Sequence, residues 1–214
     1  MTTQLTISNG ALGFLGERSL VTTADATEPA RVIASFYSKA VEYCLEQGHW
    51  KFAERRALLS PSGTEIPTFG RANAFAKPTD YVRVNALCSD EYFTNSVTDV
   101  EDAGGFWYSD LDELYLKYVS NHTSYGLNLD LWPESFVVYV ELYLAVLAAP
   151  RIAPNKKIEN IQAPGGIGLE QAKRNALAKD AVSGPTQFLP SGRWVRARSK
   201  NRNNRTSSTS LYGS

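Results

Sequence analysis

The 214 residues carry 22 Lys+Arg against 22 Asp+Glu, with 43% apolar and 21% charged side chains, so the chain can bury a sizeable core beneath an ordinary soluble surface. Two cysteines, Cys44 and Cys88, exclude a disulfide framework and form no C-x-x-C pair; two buried free thiols are expected. Charge is uneven along the chain: "GRWVRARSKNRNNR", residues 192–205, holds six cations and no anion, against 16 Lys+Arg and 22 Asp+Glu over residues 1–191.

The opening "MTTQLTISNG" has no basic n-region and no apolar h-region, which predicts a chain made and kept inside the cell. Leu5, Ser8, Leu12 and Leu15 recur at helical spacing and stop at Gly16, a natural residue to follow a helix, although Gly10 and Gly13 weaken the pattern. A second helix is clearer. Thr27 can cap it, Pro29 suits its first turn, and Ile33, Phe36, Tyr37, Ala40, Cys44 and Leu45 make one apolar stripe before Gly48.

Between Trp50 and about Tyr125 the pattern changes to short alternating runs punctuated by Gly and Pro: "ALLS", "YVRVNAL" and "ELYLKYV". In the last, Leu114, Leu116 and Tyr118 share one strand face and Tyr115, Lys117 and Val119 the other. Four or five antiparallel strands are expected. Helix returns at Pro133, with Phe136, Val137, Val140, Leu144 and Leu147 as its buried face and Pro150 and Pro154 to end it. The apolar run at 136–149 is interrupted by Glu141 and falls short of the ~20 residues a bilayer requires.

"APGGIG" resembles a phosphate loop only superficially, lacking the Lys-Ser/Thr and a preceding strand, and reads as a helix–helix loop. A polar, alanine-rich helix follows over 168–182, with a narrow face of Leu169, Ala172, Ala176 and Leu177 that must lie against another helix or a neighbouring subunit. The fold class is therefore α+β: both chain ends (1–50 and 130–184) supply a helical bundle, 51–129 an inserted antiparallel β-rich module, and 185–214 an extended C-terminal arm.

Chemistry is sparse. His49 and His122 have no metal-ligand companions at the usual spacing, and no nucleophile turn is present, so the chain reads as a non-enzyme needing no cofactor or metal. Asp90, Glu91, Asp99, Glu101, Asp102, Asp110, Asp112 and Glu113 lie between Arg83 and Lys117 without a cation among them. They read as a solvated loop or as a surface that repels polyanions. Lysine at 99, 101 and 102 is expected to leave the fold intact. Phe106 and Trp107, after Gly104-Gly105, pack on a sheet face or form a partner-binding loop tip.

Several stretches taken in order resemble the head-to-tail adaptor of short-tailed bacteriophages, the tail tubular protein A family. They are "ALGFLGERSL"; "HWKFAERRALL", with Trp50, Phe52, Ala53 and Arg56; and "AFAKPTDYVRV", with Phe75, Pro78, Asp80, Arg83 and Val84. "LYLKYV", the Pro133–Phe136–Leu144–Ala145 helix and "LPSGRWVRAR" follow, so the resemblance spans roughly 10–198; Lys77 departs from the apolar residue usual before the proline. Trp50 and Phe52 are expected to close the helical core, and Asp80 to pair locally with Arg83.

The resemblance implies a virion protein at the portal vertex, made in the host cytoplasm and free of membranes. It forms a homo-oligomeric ring, twelvefold in the family, which joins the portal protein to the tail nozzle protein. Genomic DNA passes through without sequence-specific binding. It also implies that the terminal segment docks on the portal through Trp194 with Arg193, Arg196 and Arg198, while Phe106, Trp107, Asp99, Glu101 and Asp102 are candidates for the nozzle. A basic tail with one tryptophan also suits nucleic acid, which is the alternative reading.

Overall fold

The computed structural model describes residues 2–156 and 160–184. It has the α+β class expected, and its organisation follows from one helix. In α3, Glu134–Ile152, the buried residues Phe136, Val137, Tyr139, Val140, Leu142, Leu144, Ala145 and Ala148 cover every side. A helix that is apolar all round needs neighbours all round. They are α1 (Gln4–Leu15), α2 (Glu28–Glu46) and α4 (Leu169–Val182), each packed along it. The single buried stripe expected for α3 is thus too narrow a description. By length and composition this helix could also cross a bilayer; here protein covers it.

Pro150 does not end α3, as its position suggested. It lies in the last turn, where its missing N–H removes one bond, and the helix runs on until Ala153 donates to the Ala149 carbonyl. α1 behaves as its sequence predicts: the Thr3 hydroxyl accepts from the Thr6 amide, and Gly16 turns left-handed at φ 78°. Gly10, a poor helix former, is explained by contact. A Cβ there would fall 2.2 Å from the Glu141 carboxylate of α3.

α4 uses its small residues to approach closely. Ala172 and Ala176 are buried in the helical core, so the narrow stripe is spent on α3 of the same chain. At its far end Asp180 accepts from the Lys51 amide through both oxygens (3.1 and 3.0 Å), and Lys51 Nζ donates to the Ala181 carbonyl (2.6 Å). The start of the β region is clamped to α4 by these bonds.

Among the described residues six strands form, more than expected, in two antiparallel three-stranded sheets. One runs β1–β6–β3 (Glu54–Leu59, Leu114–Ser120, Tyr81–Cys88); the other runs β2–β5–β4 (Asn73–Ala76, Phe106–Ser109, Glu101–Ala103). Leu114, Leu116 and Tyr118 do share a face, and they pack with Phe75 and Trp107 of the other sheet into a second core. Val119, on the opposite face, joins the helical core instead. Cys44 and Cys88 are buried free thiols.

Glu141 is the one charged side chain of α3 taken into the core. Burial, helped by the Glu134 charge, pushes its carboxyl up from 4.5 to about 7. The folded chain then holds a proton that the unfolded chain has lost, so this group's contribution to stability falls as pH rises from the lower value to the higher and is flat beyond. Urea unfolding of Glu141→Gln across this range should show the variant gaining on the parent by up to roughly 3 kcal/mol between acid and mildly alkaline pH. A pH-independent difference would mean that the carboxylate is solvated.

Candidate interaction surface

Asp80, in the turn before β3, ties three strands together. It accepts from Arg55 Nη1 of β1 (2.8 Å), from the Tyr118 hydroxyl of β6 (3.0 Å) and from Ser120 Oγ, while its own carbonyl accepts from the Asn121 amide. Burial alone would raise its carboxyl, but the bonds from Ser120, Arg55 and Tyr118 outweigh this and hold it below the usual aspartate value. The local Asp80–Arg83 pair expected from sequence does not form. Arg83 reaches the Glu46 carbonyl at the end of α2 instead (2.8 Å), where a cation meets the negative end of a helix. Strand register decides this, because Arg55 shares the inner face with Tyr118, its partner across β1–β6.

Trp50, Phe52 and Ala53 do close the helical core. Trp50 is fully buried, its ring packs edge-on to Phe136 at 4.8 Å, and its indole N–H donates to the Cys44 carbonyl. Arg56 lies instead on the outer sheet face, where it and Lys117, its neighbour in register, stack over Phe93. Phe93 holds a left-handed backbone (φ 57°), braced by Asp90, which accepts from the Thr94 and Asn95 amides. Pro78 precedes the Asp80 turn, and its carbonyl accepts from the Tyr81 amide.

The acidic stretch is not a loosely solvated loop. Arg71, from the segment before β2, bonds Asp99 and Asp110 and lies 3.5 Å from Glu101. Lys77 bonds Asp102 (2.6 Å) and sits over the rings of Tyr81 and Trp107. Sequence reasoning missed both cations because each precedes the carboxylates it bonds by more than twenty residues and reaches them only through the β2–β5–β4 sheet.

Trp107 takes the sheet-face packing expected for it, not the exposed loop tip that was the alternative. It is 1% exposed, its indole N–H donates to Asp102, and Tyr81 packs against it edge-on. The alternation along β5 turns Trp107 inward and leaves Phe106 half-buried on the other face. Glu101 and Asp102 therefore lie on the edge strand β4 with Asp99 just before it, Asp102 paired in register with Trp107, whereas Phe106 lies on the central strand β5 opposite Ala103. The portal-binding candidates Arg193, Trp194, Arg196 and Arg198 lie outside the described residues.

At the "APGGIG" turn, the Ala163 carbonyl accepts from the Gly166 and Ile167 amides. Those donors are spent within the turn, in keeping with a connecting loop. Beside it, Val146, Ile161, Leu169, Glu170, Gln171 and Arg174 line an open, mainly apolar groove of about 430 Å³. Among the described residues no group of three or more His, Cys, Asp or Glu side chains is placed to hold a metal ion.

No family model matches the chain, and no curated protein matches it.

Two outcomes follow from this geometry. Asp80→Ala should cost about 3 kcal/mol by leaving a cation and two hydroxyls unpaired, whereas Tyr118→Phe should cost about 1, both read from thermal melts. Because the Asp80 carboxyl is held low, its contribution is present above the ordinary aspartate range and lost as pH falls through the lowered value; the alanine variant should lack that acid limb. Lysine at 99, 101 and 102 together now faces Arg71 and Lys77 with like charge. Its expected result is faster amide exchange along β4 and a lowered melting temperature that salt partly restores, not the intact fold expected from sequence.

Proposed function

We propose that this chain is a structural virion protein, the ring-forming head-to-tail adaptor that joins the portal to the tail nozzle while DNA passes through its channel. The supporting observation is where the motif residues fall. Trp50, Phe52 and Ala53 fill the joint between helices and sheets, Asp80 staples one sheet, and Pro133–Phe136 opens the central helix. These are framework positions, as suits a protein whose work is to hold a shape and present surfaces. The net negative body over 1–191 also suits a bore through which a polyanion must slide.

A rival reading makes the chain a nucleic-acid-binding protein, on the strength of six cations and Trp194 within 192–205. Electron micrographs of the protein alone and mixed with the portal of the same virus separate the two. Rings, or collars seated on portals, are expected, and cutting the chain after Gly184 should abolish collar formation while leaving the melting temperature unchanged. Salt-sensitive binding of free duplex with no portal association would favour the rival.

A further inference from the structure

The loop between β1 and β2 exposes two large apolar side chains that nothing in the described residues covers: Ile66 is 73% exposed and Phe69 90%. This loop is not slack. The Ser62 amide donates to the Ala74 carbonyl, Ser62 Oγ accepts from the Thr64 and Glu65 amides, and Arg71 pins the exit to Asp99 and Asp110. Pro61 and Pro67 fix two backbone angles within it, so little entropy remains to be lost on contact. A rooted loop with an apolar tip is built to insert into something.

The groove beside α4 is the complementary feature. Val146, Ile161 and Leu169 supply an apolar floor; two charged residues line the groove, Glu170 and Arg174, and Arg174 stands exposed without an ion pair among the described residues, open to a carboxylate from outside. Glu65, next to Ile66 in the loop, is likewise exposed and makes no described ion pair. Apolar tip and apolar floor, acid and base, fit as a pair. They lie on different elements, one in the β region and one on the helices, and a head-to-tail contact that closes into a ring needs two different patches of that kind.

We infer that the 62–69 loop of one copy seats Ile66 and Phe69 in the α3–α4 groove of the next, with Glu65 on Arg174, and that this is the contact that repeats around the ring. The inference rests on the ring-forming reading above and specifies its interface. Buried large side chains supply most of the affinity at such a contact, and the rim charge fixes register.

The test uses two full-length variants, Thr68→Cys and Gln171→Cys, both at exposed positions, with the native thiols buried. Mixed and mildly oxidised under conditions where rings or collars form, they should yield a disulfide-linked heterodimer that neither gives alone. Glu65→Arg or Arg174→Glu added singly should lose that product, and the two together should restore it. Ile66→Asp with Phe69→Asp should abolish rings while the melting temperature holds, since neither side chain packs on its own subunit. Rings without the mixed disulfide would overturn this interface and leave the ring-forming reading standing. A disulfide between two Thr68→Cys chains would overturn it by showing loop against loop. A protein that stays monomeric with and without the portal would overturn both.

Discussion

The fold depends on the ring of Phe136. Trp50, Phe52 and Trp132 all pack against it, at centroid distances of 4.8, 4.8 and 4.9 Å, with both tryptophans edge-on. Trp50 is where the chain leaves the helices for the strands, and Trp132 is where it returns. One side chain on the central helix thus fixes both ends of an insertion of some eighty residues, which removes most of the loop-closure cost of holding the sheets in place. Each indole also has its donor satisfied locally, Trp50 on the Cys44 carbonyl and Trp132 on the Gly126 carbonyl, so neither is left wanting inside the core.

Around that joint the rest is reinforcement. Asp180 and Lys51 hold α4 to the first residue after Trp50, and Asp80 locks β1 and β6 to the turn before β3. Val119 places one residue of the central strand in the helical core while its neighbours Leu116 and Tyr118 face the other core. Helices and sheets therefore share a wall, and the described residues up to Ser183 make one compact unit. Under the proposed ring-forming reading such an arrangement is an advantage, because an angle error at a hinge would accumulate from copy to copy.

What could be read from sequence divides along a physical line. Local signals were legible: Gly16 after α1, Pro29 in the first turn of α2, and the alternation of Leu114, Leu116 and Tyr118. Anything decided by a partner far along the chain was not. Asp80 chose Arg55 over the nearer Arg83 because strand register put Arg55 on its face, and no spacing rule reports register. Glu141 looked like a break in an apolar run, whereas it fills the space that Gly10 leaves open on another helix. The short strands β2 and β4 carry too few residues to show a period, so the second sheet was only partly anticipated.

The same long-range pairing bears on what the acidic edge can do. Arg71 is largely covered, at 20% side-chain exposure, while the carboxylates it holds remain open: Asp99 at 74%, Glu101 at 69% and Asp110 at 59%. Three carboxylates on one sunken guanidinium still present net negative charge outward, and they present it in fixed positions. Under the adaptor reading such an edge either docks on a basic nozzle or keeps DNA from adhering to the bore. Docking draws its affinity chiefly from aromatic anchors, and here the larger one, Trp107, is turned into the core with its N–H on Asp102, leaving only a half-buried Phe106. Repulsion needs no anchor, only charge that does not fold away when a phosphate approaches. A rigid, cation-backed row of carboxylates meets that requirement better than it meets the first.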